Sequence, residues 1–181
     1  SNGSKTKAYS LNTSLAPIYS SASYVSRNIT AGAWATQVLP FPTTITENKP
    51  EAYTLNAQNE DNGTLTLTFQ KVEESAGTLS LEANVPYLLW FDTKPEEYTL
   101  TSGGNVTMTL TPQTSSTTDF ALAGTYQTIY TTAEDNIYVI PGGQTDKENF
   151  SIRLSVGGRV LPFRSYFAAN DVTPAKINIL I

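Results

Sequence analysis

Along much of this chain every second side chain is apolar. Leu65, Leu67 and Phe69 alternate with Thr64, Thr66 and Thr68. Val106, Met108 and Leu110 alternate with Thr107, Thr109 and Thr111, and Phe150, Ile152, Leu154 and Val156 with Ser151, Arg153 and Ser155. A two-residue period puts alternate side chains on opposite faces of an extended chain, so each run predicts a strand with one dry face and one wet face. Ile177, Ile179 and Ile181 repeat the pattern, with Leu180 making the outer face partly apolar. The segment from Val85 to Phe91 is apolar on both faces, with Val85, Tyr87, Leu89 and Phe91 on one side and Leu88 and Trp90 on the other. That pattern predicts a central strand, or one covered on its second face. Pro86 lacks an N–H, which places the start of that strand at a bend or bulge. No stretch carries a sustained helical stripe.

Turn chemistry separates these runs. Asn62-Gly63 precedes the strand beginning at Thr64, and both residue types tolerate the positive φ of a type I′ hairpin turn. Gly103-Gly104 divides Tyr98–Thr101 from Val106–Leu110, and Gly157-Gly158 divides Phe150–Val156 from Val160–Phe167, each read as a hairpin. Trp34 to Phe41 is a further run, stopped where Pro40 and Pro42 interrupt ladder pairing. Tyr9 to Val25 holds one or two strands, Thr111–Asp119 reads as an exposed Thr/Ser loop, and Asp171–Pro174 as a link to the terminal strand. Recurring glycine-centred turns without helix predict an all-β fold, an antiparallel two-sheet sandwich of Greek-key or jelly-roll-like type, enclosing one interior. Residues 1–181 form one domain, with residues 1–6 expected to be disordered or a cloning remnant.

Composition sharpens this reading. A chain of 181 residues buries about 70% of its unfolded surface and needs no metal or disulfide to stay folded. Only 39% of residues are apolar and 15% charged. Thr, Ser, Asn and Tyr fill the difference, which suits strands and turns. The net charge of −5, with Lys71, Arg153, Arg159 and Arg164 scattered, disfavours nucleic acid and anionic membrane surfaces. No apolar run reaches the about 20 residues that span a bilayer. With no cysteine there is no disulfide or thiolate chemistry, and with no histidine there is no imidazole base, metal ligand or pH switch.

Candidate chemistry is sparse. The acidic pairs Glu73-Glu74, Glu96-Glu97 and Glu134-Asp135 fall at turn-like positions and read as solvated turns rather than glycosidase dyads, which need two carboxylates facing across a cleft. Ser4 to Lys7 is the Ser-x-x-Lys match, and it lies in a terminal tail. Asn56–Asn62 and Glu134-Asp135-Asn136 offer loop oxygens for calcium without matching the spaced calcium-binding loop, so no metal and no cofactor is assigned. Tyrosines remain as ligand candidates: Tyr126, Tyr130 and Tyr138 could share a face of adjacent strands and present rings to a sugar.

Four spaced motifs carry a resemblance. Trp34 with Leu39-Pro40-Phe41, then Ala83-Asn84-Val85-Pro86-Tyr87, then Gly124-Thr125-Tyr126, then Leu161-Pro162-Phe163-Arg164-Ser165-Tyr166-Phe167, occur in that order. Together they resemble a β-rich domain recurring at the C-terminal end of secreted and surface proteins of Bacteroides and its relatives. The likeness covers about Gly32 to Ala168, with the last motif its most specific part. It implies an exported, cell-surface setting and neighbouring domains in a longer protein, and it supplies no catalytic residues. The motifs also read structurally. Pro-Phe and Pro-Tyr drop rings into a core, Gly124 permits close approach or a bulge, and alternation places Leu161, Phe163 and Phe167 on one face with Arg164 and Tyr166 on the other. Arg164 is then positioned to pair with a carboxylate.

These readings converge on a non-catalytic accessory, adhesion or structural domain of a bacterial cell-surface protein. A carbohydrate-binding module is the alternative, and a pilin-like subunit that exchanges strands, with Ile177–Ile181 as the exchanging segment, is a third. Expected partners are other domains of the longer protein and a glycan or protein ligand.

Overall fold

The computed structural model describes residues 18–26, 29–142, 144–170 and 176–181. Its extended segments begin with β1 (Ile18–Tyr19), β2 (Ser23–Ser26), β3 (Trp34–Gln37), β4 (Thr43–Ile45), β5 (Glu51–Asp61) and β6 (Thr64–Lys71). Next come β7 (Leu79–Leu81), β8 (Tyr87–Trp90), β9 (Tyr98–Thr101), β10 (Val106–Thr107), β11 (Thr114–Ser116) and β12 (Phe120–Thr125). The chain continues through β13 (Ile129–Tyr130), β14 (Ile137–Val139), β15 (Arg153–Leu154), β16 (Arg159–Val160), β17 (Arg164–Ala169) and β18 (Lys176–Leu180). The one helical turn among the described residues is a short 3-10 segment, Ala133–Asp135.

Two five-stranded sheets, ordered β18-β6-β5-β8-β3 and β11-β12-β17-β14-β15, form the sandwich, and short two-stranded ribbons (β1-β10, β2-β9, β4-β7, β13-β16) surround them. The alternation read in β6 is the one the structure uses. Leu65, Leu67 and Phe69 are buried while Thr64, Thr66 and Thr68 face the other way. Asn62 (φ 50°) and Gly63 (φ 79°) close the β5–β6 hairpin with both φ positive, as a type I′ turn demands. β8 is the central strand that its two-faced apolar pattern predicted: all four residues are buried, and β3 and β5 flank it.

A strand dry on both faces needs a core on each, and the structure has two cores rather than one interior. Leu88 joins Leu65, Leu67 and Phe69 against Phe120, Leu122 and Phe167 of the opposing sheet. The Phe69 and Phe167 rings meet edge to face at 6.0 Å across that gap. On its other side β8 sends Tyr87 and Leu89, with the following Phe91, into a second core closed by Ile45, Leu79, Leu81, Tyr98, Leu100 and Val106. Small ribbons cap this second core, because their strands of two to four residues cover β8 without extending a sheet.

Several other expectations change. β18 pairs with β6 in parallel, Ile179 beside Leu67, so the fold is not wholly antiparallel. Arriving from the far end of the chain, β18 reaches the sheet edge without the tight turn that would force the antiparallel direction. The Gly103-Gly104 and Gly157-Gly158 segments do not close hairpins. β9 pairs with β2 and β10 with β1, while β15 pairs with β14 and β16 with β13. The alternation of Phe150–Val156 also slips at its end, where Ser155 is buried and Val156 is 62% exposed. Ser155 has turned inward to share a 2.8 Å hydrogen bond with the Thr131 hydroxyl. Leu110 likewise lies beyond the two-residue β10 and is 68% exposed. The Thr/Ser stretch 111–119 contains edge strand β11, in keeping with the β propensity of threonine. Asn56–Asn62 belongs mostly to β5 and its turn, with a ladder irregularity between Leu55 and Ala57. In the Tyr9–Val25 region the structure shows β1 and most of β2; residues 1–17 and the Asp171–Pro174 link lie outside the described residues.

Candidate functional site

The four motifs, far apart in sequence, meet at one junction between the sheets. β3 forms the edge of the first sheet, pairing Trp34–Gln37 with Tyr87–Trp90. Its outer edge then meets the start of β17 in the second. The Ser165 amide donates to the Thr36 hydroxyl (3.1 Å), the Ser165 hydroxyl to the Gln37 carbonyl (3.0 Å), and the Val38 amide to the Phe163 carbonyl (3.1 Å). The Phe163 amide in turn donates to the Thr125 carbonyl at 2.8 Å. Gly124 lies under this crossing. A Cβ built there would stand 2.8 Å from both Val38 methyl groups, so the glycine serves close approach. The polar groups of Thr36, Gln37 and Ser165, which would be costly to bury unpaired, satisfy one another.

The second motif closes the junction from below. Asn84, buried and left-handed at φ 64°, donates its amide N–H to the Leu39 carbonyl (2.6 Å). Its side chain donates to the Thr109 hydroxyl (3.0 Å) and accepts from the Tyr126 hydroxyl (2.7 Å). Burial raises the Tyr126 phenol above its ordinary pKa, keeping it a neutral donor. Phe163 takes φ 63°, a conformation that bulky side chains avoid. That twist breaks the expected alternation. Phe163 packs with the core beneath β8 and against Tyr24 and Tyr126, each ring 5.6 Å away, while Phe167 belongs to the core between the sheets. Leu161 is 44% exposed rather than sharing their face. Arg164 donates from Nη1 to the Thr36 carbonyl at 3.2 Å instead of pairing with a carboxylate, so its guanidinium ties β17 to β3.

Beside the junction a cleft of about 460 Å³ opens between the segment 29–36, the loop after β14, and the residues from Arg159 to Ser165. Trp34, Ile140, Pro141 and Leu161 supply apolar wall, while Arg159, Arg164, Thr30, Thr36, Gln144 and Thr145 supply polar groups. Among the described residues no Asp or Glu lines it, although the chain holds 16 acidic residues against 11 basic ones. Trp34 stands in an aromatic cluster with Phe150 (4.9 Å), Trp90 (5.2 Å) and Tyr53 (5.5 Å), and its buried indole N–H has no hydrogen-bond partner among the described residues. Sequence reading passed over this cleft because its walls come from three segments, the first more than a hundred residues from the other two.

The tyrosines singled out from sequence do not share a face. Tyr130, in β13, is 75% exposed. Tyr138, in β14, is buried with its ring 5.4 Å from Phe120. Tyr126 is half-buried and bonded to Asn84. The acidic pairs Glu73-Glu74, Glu96-Glu97 and Glu134-Asp135 are all exposed. Glu74 pairs with Lys49, and Asp135 accepts from the Thr132 amide at the start of the 3-10 turn. Among the described residues no three acidic side chains converge as metal ligands would, and no helix is long and apolar enough to cross a membrane.

One charged network overlies the aromatic cluster. The Glu51 carboxylate accepts from the Tyr53 hydroxyl and pairs with Lys71 (3.2 Å) and Lys147. Burial works to raise this carboxyl, but the hydrogen bonds from Lys147, Tyr53 and Lys71 outweigh it and hold its pKa at about 2. Burial and the adjacent Glu51 raise the Tyr53 phenol.

The fold is thus an all-β sandwich with a second, ribbon-capped core. No protein-family model matches the chain, and no curated protein and no solved structure matches it.

Proposed function

We propose that this chain is a non-catalytic accessory domain of a bacterial cell-surface protein, used for packing, spacing or adhesion beside other domains. The observation that carries the reading is the fate of the four motifs. Most of their polar groups are hydrogen-bonded at the inter-sheet junction, and Phe41, Tyr87, Phe163 and Phe167 pack into the two cores, so the motifs fix the framework. Dispersed, solvent-facing carboxylates and the lack of histidine and cysteine fit a domain that holds or binds rather than transforms. Its exported setting rests on the motif resemblance. The reading is tested by incubating the purified domain with panels of plant and host polysaccharides and of peptides, with chromatography of the products. No new product is expected, and turnover of any substrate would overturn it.

A second reading, carbohydrate binding, is favoured by the cleft beside Trp34. It joins an apolar wall to hydroxyls and two guanidinium-bearing residues at a volume suited to small ligands, which typically occupy about 300–1,000 Å³.

A further inference from the structure

We infer that the Trp34–Arg159–Arg164 cleft binds the carboxylate of an acidic sugar residue, an inference that rests on the carbohydrate-binding reading and names its ligand class. Three observations carry it. The first is charge. In a chain of net charge −5, this concavity gathers two of the arginines and, among the described residues, no carboxylate. Among the described residues neither arginine has an acidic partner, whereas Lys49, Lys71 and Lys147 all do. A cleft lined by one sign of charge between low-dielectric walls concentrates the field acting on an incoming anion.

The second is geometry. Arg164 is oriented by the Thr36 carbonyl through one Nη1 bond, which leaves the remaining donors of its planar fork for a ligand. Arg159 lies on β16, whose partner is β13, so it enters the same cleft from a separately anchored ribbon. A carboxylate meeting the two receives charge-assisted hydrogen bonds, from the Arg164 guanidinium already oriented by Thr36 and from Arg159 across the cleft. The third is the remaining lining. Trp34, Pro141 and Leu161 give apolar surface for a ring face, and the Thr30 and Thr145 side chains are exposed beside it. The Thr36 hydroxyl accepts from Ser165 and keeps its own proton to donate. That mixture suits a hydroxylated ring carrying one carboxylate. A peptide C-terminus shares the carboxylate but lacks the hydroxyl-bearing ring face that the apolar wall and threonines would meet together.

Calorimetric titration of the whole chain with trigalacturonic acid, its methyl-esterified counterpart, and a short peptide with a free C-terminus tests the inference. The acid should bind, the ester should bind at least about tenfold more weakly for want of the charged partner, and affinity for the acid should fall as sodium chloride is raised. Arg159→Gln, at an exposed position on a two-residue strand, should weaken the acid about tenfold with an unchanged melting temperature. In the nitrogen-resolved NMR spectrum the Trp34 indole N–H should shift on titration while that of Trp90, bonded to Asp92, stays in place. Equal binding of acid and ester, no binding of either, preference for the peptide, or an unaltered Trp34 signal would each overturn the site. Cleavage of the trisaccharide would instead overturn the non-catalytic reading and leave the site standing.

Discussion

Substituting Gly124 by alanine should damage this protein in proportion to how tightly Val38 is held. The new Cβ would lie 2.8 Å from Cγ1 and Cγ2 of Val38 and 2.9 Å from its Cβ, where carbon atoms ordinarily rest about 3.5–4.0 Å apart. Val38 is wholly buried and its amide is bonded to Phe163, so neither side chain nor backbone has room to retreat. Overpacking of this kind costs about 1–3 kcal/mol, and three contacts under 3.0 Å to a fully buried side chain place this site near the upper end, while reduced freedom of the unfolded chain returns about 0.4–1 kcal/mol. A net loss of about 2 kcal/mol corresponds to a fall in melting temperature of about 4–8 °C for a chain of this size. Val38→Ala alone removes two buried methyl groups, at about 0.8 kcal/mol each plus a cavity term, or about 2 kcal/mol. If the clash is the cause, the double variant should lose less than about 4 kcal/mol and at least about 2 kcal/mol, a favourable coupling of up to about 2 kcal/mol in a double-mutant cycle. Because the Val38 Cβ remains close, relief should be incomplete. Urea unfolding of the four proteins measures all of this. A Gly124→Ala variant within about 0.5 kcal/mol of the parent, or strictly additive losses, would refute the reasoning.

Four more outcomes follow from named contacts. Tyr126→Phe should cost about 1 kcal/mol in urea unfolding by leaving the Asn84 side-chain oxygen short of a donor. Asn84→Ala, which also loses the Thr109 bond and a residue tolerant of positive φ, should cost about 2–3 kcal/mol. Glu51 has a folded pKa near 2 against an ordinary value of 4.5, so the stability it adds is present above pH 4.5 and lost as pH falls towards 2. With its lysine partners partly in solvent, that contribution is about 1 kcal/mol after screening, and Glu51→Gln should flatten the stability curve over that interval in acid titrations of the unfolding midpoint. Gln58 donates to Asp119 (2.6 Å) and accepts from the Thr117 hydroxyl (2.6 Å) and the Asp119 amide (2.7 Å), pinning the β11–β12 turn against β5. Gln58→Leu should raise hydrogen exchange at residues 117–119 and cost about 1–2 kcal/mol in denaturant unfolding.

The parts of this structure legible in the sequence are those set by local rules. Alternation in β6, the Asn62-Gly63 turn and the two-faced apolar pattern of β8 each depend on neighbours within a few residues. Partner choice was less accessible. Gly103-Gly104 and Gly157-Gly158 have the composition of hairpin turns, yet β9, β10, β15 and β16 find partners elsewhere, because burying Leu100, Val106 and Val160 decides which strands meet. The two-faced pattern of β8 already required a second core, although its ribbon caps, two to four residues per strand, are too short to leave a periodic trace. At Leu161–Phe167 alternation failed because Phe163 turns left-handed, and no neighbouring residue type announces that twist. For the candidate site, spacing suggests that the tyrosines share a face, but Tyr138 turns inward to the core and Tyr126 towards Asn84. The cleft with Arg159 and Arg164 depends on the long-range meeting of β3 with β17, which local pattern does not encode.

Native-state hydrogen exchange at the amides of Val38, Asn84, Phe163 and Ser165 probes most directly whether the four motifs lock the sheets together. These four protons should exchange only through global unfolding, with the same opening free energy as the slowest amides of β6 and β12. Exchange within minutes by local opening, while β6 and β12 stay protected, would show that the motifs are not the junction on which the framework rests.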